Sequence, residues 1–249
     1  MSNLMLSIIT IVFNGEKYIE TTIKSVLSQT YQNIEYIIID GDSKDYTIQI
    51  VNKYKDKISK VISEKDKGIY DAMNKGISMA TGDYILFLNA GDELFDESTL
   101  ENIFKLQKNA DVYYGDTVVV NEHRKIVSNR RLKPPKILNW KSLQWGMVVC
   151  HQSFIVKRSL CPSYDLSYKI SADFKWMVEV LKKSNSIVNT NLVISKFLKG
   201  GTSRKYLVKS LKERFQIMVR QYGFFRTAYN HIYISIRFIY HLVIGKPIT

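Results

Sequence analysis

Cysteine is almost missing from this chain. Cys150 and Cys161 are the only two, with no CxxC pair and no zinc spacing, so neither a disulfide framework nor a structural metal is expected to organise the fold. A reducing cytoplasm suits them. There is no GxGxxG and no P-loop motif, which counts against dinucleotide-binding folds and P-loop enzymes. The first residues, Met1 to Phe13, lack the basic segment, long apolar run and small-residue cleavage site of a signal peptide, and their apolar stretch is too short for a bilayer, so export is not expected. Acidic residues are also in short supply. Twenty-three Asp and Glu face 36 Lys and Arg in 249 residues, a net charge of +13 that calls for an anionic partner. Nucleic acid, anionic lipid and phosphorylated substrates all fit that sign.

What is present is an ordinary globular composition, 45% hydrophobic and 24% charged, which excludes disordered, collagenous and disulfide-knot classes. The first hundred residues alternate short β-branched runs with helical spacing, the pattern of a parallel sheet covered by helices on both faces. Strands are predicted at Leu6–Phe13, Ile34–Asp40, Lys60–Ser63 and Tyr84–Asn89. Helices are predicted through Ile19–Leu27, Ile48–Tyr54 and Ile69–Ala80. After Leu106 the runs shorten, around Val112–Val120, Ile126–Ser128 and His151–Val156, with a Pro134-Pro135 break between them, as in a mixed or antiparallel half. A helix from Ala172 to Lys183, strands near Ile187 and Ile194, and helical spacing from Tyr206 to Tyr222 complete the chain.

Polar residues gather where two strands end, at Asp40-Gly-Asp-Ser43 and Asn89-Ala-Gly-Asp92. In open α/β sheets ligands bind outside the carboxyl ends of strands. Asp40 there can accept hydrogen bonds from a base or ribose, while Asp42 or Ser43 can instead cap the following helix.

The ordered blocks Ser7-Ile-Ile-Thr10-Ile-Val-Phe13-Asn14, Ser25-Val-Leu-Ser-Gln29-Thr-Tyr31 and Ile38-Ile-Asp40-Gly resemble the nucleotide-sugar half of family 2 glycosyltransferases. So do Glu64-Lys-Asp66-Lys67-Gly68-Ile-Tyr70-Asp71-Ala-Met-Asn74-Lys-Gly76, Ala80-Thr-Gly82-Asp83 and Phe87-Leu-Asn89-Ala-Gly-Asp92. The likeness is strong over the first 110 residues or so and weaker over 145–203. It implies an α/β fold of the GT-A type: a Rossmann-like, mostly parallel sheet with flanking helices, a mixed acceptor-side half and a C-terminal helical extension. The expected division is a glycosyltransferase domain over 1–203, with a nucleotide-sugar half (1–110) and an acceptor half (111–203), followed by a basic amphipathic segment over 204–249.

By the same resemblance Thr10, Asn14 and Asp40 contact the nucleoside, with Asp40 on the base, and Asp66 and Lys67 line the same pocket. A diphosphate needs cationic or amide donors, which Lys67 beside Gly68 can supply; a solvated surface lysine is the alternative. Asn74 orients the pocket or faces solvent on its helix. Asn89-Ala-Gly-Asp92 stands where the family carries its metal-binding Asp-x-Asp, and only Asp92 is a carboxylate. Either Asp92, water and the donor phosphates hold a magnesium or manganese ion, with Asn89 a neutral oxygen ligand at best, or metal dependence is weak. Asp92 can alternatively cap the helix after Ser98.

Asp173, in the first turn of its helix, resembles the base that takes the acceptor's proton in inverting enzymes; a helix-dipole role is the rival. His151, followed by Gln152, is a contact for acceptor or phosphate, or a satisfied structural histidine. Gly200-Gly201-Thr202-Ser203 resembles a loop that closes over bound donor, or forms a plain turn.

From Lys199 to Thr249 there are ten Lys or Arg and one acidic residue, so +9 of the +13 lies in the last fifth. Arg226, His231, Arg237 and His241 interrupt the apolar stretch Phe224–Ile244, which fits a helix lying in the headgroup region better than one spanning it. A basic helical cap on the domain is the bland alternative. Together these readings predict an inverting glycosyltransferase on the inner face of the membrane. It would move a sugar from a nucleotide-diphosphate donor, UDP by family frequency, to a lipid-linked saccharide acceptor in polysaccharide assembly. The rivals are a basic nucleic-acid-binding protein, for which no motif is present so that no nucleic-acid partner is expected, and a catalytically idle nucleotide-binding or scaffold member, suggested by Asn89.

Overall fold

Strand β1 (Leu6–Val12) is buried at every residue, and β2 (Ile34–Asp40) at all but its first, because both faces of these strands are covered by helices. Side chains alternate between the two faces, and so does the core. In a computed structural model of the chain, described for residues 4–106, 109–200 and 206–243 (side chains of 235 and 237–243 excepted), Leu6, Ile8, Val12, Tyr36 and Ile38 pack against α1 (Ile19–Leu27), α2 (Thr47–Asn52) and α4 (Thr99–Leu106). Ile9, Ile11, Ile37 and Ile39 face the other way, toward α3 (Ile69–Met79) and α5 (Ala172–Lys183).

Among the described residues nine strands make one sheet, in the order β3-β2-β1-β4-β8-β6-β9-β5, with β7 on β6. β3 (Lys60–Ser63), β2, β1 and β4 (Tyr84–Phe87) run parallel. Antiparallel β8 (Phe154–Lys157) joins β4 to β6 (Val112–Val120), which lies parallel to β9 (Ile187–Leu198). β5 (Glu93–Leu94) and β7 (Ile126–Asn129) pair antiparallel with β9 and β6. The predicted strands near Ile187 and Ile194 are thus one strand. Asn191, at φ 55, adds a kink where the register against β6 shifts, and that kink splits the apolar pattern.

Two helices follow, α6 (Leu207–Tyr222) and α7 (Phe224–Val243), joined at Gly223 (φ 86). Ile217 and Met218 of α6 are buried in the same core as α3 and α5, so this segment is packed onto the sheet's helical layer. Tyr222 stacks on Trp140 and donates its hydroxyl to the Trp140 carbonyl at 2.7 Å. Arg226 reaches Gln144 at 2.8 Å. No helix of the described residues is long and apolar enough to cross a membrane.

At the amino ends of the parallel strands one buried carboxylate ties three strands together. Glu35 accepts from Ser7 (2.6 Å), the Lys60 ammonium (2.8 Å) and both the amide and hydroxyl of Thr81 (2.7 and 2.8 Å). Burial would raise its pKa, but Lys60, Ser7 and Thr81 outweigh that and hold it down to about 2. The contribution is therefore complete above the usual carboxylate range and is lost as pH falls from about 4.5 through 2. Glu35→Ala should cost about 3 kcal/mol in urea unfolding at pH 7, since it leaves the Ser7 hydroxyl and the Thr81 amide without their acceptor and removes the charge partner of Lys60. That difference should shrink toward pH 2.

Candidate active site

The carboxyl ends of β1 and β2 are held together by side chains whose backbones are bent for the purpose. Asn14 and Asp42 take left-handed conformations (φ 47 and 66), which Asn and Asp tolerate because their short polar side chains bond locally. The Asn14 amide donates to Ser43 Oγ at 2.7 Å, and Asn14 Oδ1 accepts from the Lys44 amide at 2.9 Å. Asp40, wholly buried, accepts from the Ser43 amide (3.0 Å), the Ser43 hydroxyl and the Ser63 hydroxyl (2.6 Å). Asp66 closes over this corner. A Cβ on Gly41 would lie 2.5 Å from Asp66 Oδ2 and 3.3 Å from the Phe13 ring, so glycine lets Asp66 and Phe13 close in on the end of β2 without displacing the Asp66 carboxylate. Asn14, Asp40 and Asp66 are therefore brought together. Phe13 lies at the same corner, 63% exposed, an aromatic face that the sequence reading passed over as part of a strand.

Thr10 is placed elsewhere. Strand alternation turns its side chain into the helix layer, where the hydroxyl lies 3.1 Å from the Tyr36 hydroxyl and donates to the Leu88 carbonyl at 2.7 Å. Lys67 stands exposed at the entry to α3, and Gly68 donates its amide to Asp66 at 2.7 Å. Asn74 neither faces solvent nor turns to the strand ends. Its amide is consumed by the backbone of Tyr164, donating at 3.0 Å and accepting at 2.6 Å, so it fastens α3 to the acceptor-side loop.

After β4 the chain turns at Asn89–Asp92, closed by the Asp92 amide on the Asn89 carbonyl at 2.9 Å. Asp92 is buried, with Oδ2 accepting from Gln152 Nε2 at 2.6 Å and Oδ1 from the Leu198 amide at 3.1 Å. Burial pushes its pKa up to about 7 despite those donors and the nearby Arg124. Arg124, from the β6–β7 turn, donates to the Gly91 carbonyl at 2.6 Å and pairs with Glu93 at 3.2 Å. Among the described residues no three His, Cys, Asp or Glu side chains form a ready metal cluster. The Asn89 side-chain oxygen, however, is buried without a hydrogen-bond partner. A buried oxygen of that kind is costly unless a cation or a ligand's donor meets it. With one carboxylate three residues along, the pair fits a hard divalent ion that keeps most of its shell as water and phosphate.

His151 lies in a 3-10 turn (His151–Ser153) rather than a strand. Its Nε2 is 2.6 Å from the Tyr164 hydroxyl, its ring stacks on Phe87 at 5.1 Å, and Trp176 closes the other side at 5.5 Å. It is a packed, buried group. Tyr164 in turn stacks on Tyr70 at 5.4 Å, and the Tyr70 hydroxyl donates to Asp173 Oδ1 at 3.1 Å. Asp173 Oδ1 also accepts the Phe174 amide at 2.9 Å, while Oδ2 has no hydrogen-bond partner among the described residues. Lys67, Gly68, Tyr70, Tyr168 and Lys169 line one shallow hollow between the α3 and α5 entries. An unbroken set of contacts thus links Asp92, through Gln152, His151, Tyr164 and Tyr70, to Asp173.

Tyr70, Gln152, Arg124 and Tyr164 were not singled out by the sequence reading. Tyr70 and Gln152 sit beside residues that were, and only their partners, 103 and 60 positions distant, reveal them.

Burial depresses the His151 pKa to about 4 against a weaker upward pull from Asp173. The unfolded chain binds that proton first, so stability should fall as pH drops from about 6.5 through 4, by about 3 kcal/mol in full from this group. Urea unfolding between pH 7 and 4 should show His151→Gln losing correspondingly less than wild type.

The fold is that of GT-A glycosyltransferases. S. aureus TarS (residues 1–349) in complex with UDP superposes with a TM-score of 0.67 at 18% identity, covering 91% of this chain and 68% of that one. The mannosyltransferase PcManGT from Pyrobaculum calidifontis, in complex with GDP-Man and Mn2+, gives 0.67 at 12% identity, covering 93% and 71%. In sequence, a PGL/p-HBAD biosynthesis glycosyltransferase of Mycobacterium tuberculosis is 27% identical over 229 residues, 87% of this chain and 86% of the relative. A UDP-Glc:alpha-D-GlcNAc-diphosphoundecaprenol beta-1,3-glucosyltransferase of Escherichia coli is 31% identical over 192 residues, 76% and 75% of the two chains. The family model for glycosyl transferase family 2 matches residues 7–162, from the first residues of β1 past β8, which takes in the strand-end corner, the 89–92 turn and His151; the chain belongs to that family.

Proposed function

We propose that this glycosyltransferase is inverting and transfers a sugar from a UDP-sugar to a lipid-linked saccharide, a hexosyl or N-acetylhexosaminyl transfer in polysaccharide assembly. The observation that carries the mechanism is the asymmetry of Asp173: Tyr70 and the Phe174 amide fix Oδ1, and Oδ2 is left without a partner among the described residues. A carboxylate held that way can take a proton on its free edge without turning. The acceptor hydroxyl gives its proton to Oδ2 as its oxygen bonds the anomeric carbon from the face opposite the diphosphate. The bond from that carbon to the β-phosphate oxygen breaks, and UDP leaves with the electron pair. Inversion follows from the opposite-face attack.

The donor's base would lie at the β1–β2 corner, with Asp66 as an acceptor and Phe13 as a stacking face, and Asp40, buried and bonded to Ser43 and Ser63, would hold the corner in shape beneath it. Lys67, which lines the hollow with Tyr70, would meet the leaving diphosphate. Asp92 and Asn89 would hold the divalent ion. When bound, magnesium or manganese neutralises charge on the leaving diphosphate. The occupied oxygens of Asp92 favour modest rather than absolute metal dependence. The relatives that support this reading are the glucosyltransferase whose name specifies UDP-Glc and a diphosphoundecaprenol acceptor, and TarS, solved with UDP and with UDP-GlcNAc.

The acceptor class gives the C-terminal helices a role on the membrane's inner face. α6 and α7 expose Leu207, Val208, Leu211, Phe225, Tyr229, Ile232 and Ile236, the exposure reaching 88% at Phe225, beside Lys209 and Lys212. An apolar face with a cationic margin suits the headgroup region of an anionic leaflet. Of the predicted basic segment, residues 204, 205 and 244–249 lie outside the described residues, as do Gly201, Thr202 and Ser203 of the predicted closing loop.

Calorimetry should show UDP binding strengthened by Mg2+ or Mn2+. Asp40→Ala should weaken UDP at least about ten-fold, the loss of one hydrogen-bonded charge. Asp92→Ala should remove the metal enhancement. Asp173→Asn should keep UDP affinity while lowering turnover by roughly 10²–10⁴-fold. Binding of GDP in preference to UDP would overturn the donor assignment. In sedimentation with phosphatidylglycerol vesicles, Leu211→Ser/Phe225→Ser should cut the bound fraction about ten-fold or more, and high salt should weaken the wild type.

A further inference from the structure

Glu213 lies on α6, forty residues beyond Asp173, and is 7% exposed. Its carboxylate accepts three consecutive amides: Lys169 at 3.0 Å and, through the second oxygen, Ile170 at 2.8 Å and Ser171 at 3.0 Å. These are the residues that lead into α5, whose second residue is Asp173. Ser171 occupies the N-cap position but makes no capping bond to its own helix. Its hydroxyl instead bonds α6, lying 3.2 Å from the Ser210 carbonyl and 3.1 Å from the Ser210 hydroxyl. The α5 entry is therefore shaped from outside, by a charge and a serine on another helix.

We infer that Glu213 is a positioning residue for Asp173, a role that rests on the reading of Asp173 as the base. A carboxylate buried this deeply is stable only while its donors stay in place, so it fixes the backbone of 169–171 as firmly as those amides fix it. The first turn of α5 follows directly. Tyr70 then meets Asp173 Oδ1 from α3 at 3.1 Å, and the two restraints together set where Oδ2 points. With Glu213 neutral or absent, all three amides lose a charged acceptor and the α5 entry gains alternative conformations. Misplacement of a base by an ångström or less is enough to slow transfer strongly.

The same helix turns Leu207, Val208 and Leu211 outward, so the base is referenced to the element proposed to lie on the lipid.

Glu213→Gln keeps the shape and removes the charge, Glu213→Asp keeps the charge and shortens the reach, and Asp173→Asn serves as reference. Turnover is followed as UDP released from UDP-glucose with a short-chain GlcNAc-diphospholipid, together with UDP calorimetry and hydrogen exchange. Positioning predicts a kcat loss of about ten- to a hundred-fold in Glu213→Gln, with UDP affinity and donor KM unchanged and partial recovery in Glu213→Asp. It also predicts exchange about ten- to a hundred-fold faster at the amides of 169–171, with the sheet amides unchanged. Adding Glu213→Gln to Asp173→Asn should change kcat little further, because both act on one proton transfer. Unchanged exchange at 169–171, UDP affinity falling in step with activity, or losses that multiply in the double variant would overturn the inference. Full activity in Asp173→Asn would instead overturn the base reading itself.

Discussion

Five carboxylates are buried among the described residues, and the need to satisfy each of them away from water decides how the parts of the fold are joined. Glu35 draws donors from β1, β3 and the turn before β4. Asp40 fastens the loop after β2 to the end of β3. Asp92 binds the 89–92 turn to Gln152 and to the end of β9, Glu93 meets Arg124 of the β6–β7 turn, and Glu213 gathers the entry to α5. A desolvated carboxylate without donors costs several kcal/mol, so each is a point where distant segments must coincide for the fold to form. Apolar packing alone tolerates slippage that such points do not.

These points divide by location. Glu35, at the amino ends of the parallel strands, is bonded on both oxygens by groups of its own sheet and has only stability to serve. Those at or beyond the carboxyl ends border the region where strand order leaves room for a ligand. There the satisfied groups sit next to unsatisfied ones: Asp40 beside an exposed Phe13, Asp92 near the orphan Asn89 oxygen, and Glu213 behind the free edge of Asp173. Rigid, fully bonded groups hold open ones in place, which is the arrangement that transfer between two bound substrates requires.

The basic excess of the chain has a matching logic. Glu213, the only acidic residue from Lys199 onward, is buried and committed to amides, so the outer face of this region carries positive charge alone. Its exposed aromatic and aliphatic side chains lie on the same two helices, and the inward residues Ile217 and Met218 fix α6 to the core shared with α3 and α5.

The amino-acid sequence by itself determined the alternation of strand and helix through residue 100, the strand-end clusters at Asp40 and Asn89–Asp92, and the charge of the last fifth. Those features repeat at periods of two or 3.6, or lie within a few residues, and local pattern carries them. It could not separate Thr10 from Asn14, because Thr10 lies within β1 and is turned into the helix layer, whereas Asn14 falls in the left-handed turn just past the strand's end, and where β1 ends depends on what packs there. Nor could it show that Asn74 is spent on Tyr164, that His151 is enclosed by Phe87 and Trp176, or that Asp92 answers to Gln152. Each of these pairings spans sixty residues or more except that of His151 with Trp176, and none leaves a periodic trace. The tertiary structure alone decided which polar groups are consumed and which stay open, since a hydrogen bond between distant segments is chosen by the geometry of the whole sheet and its two layers of helices.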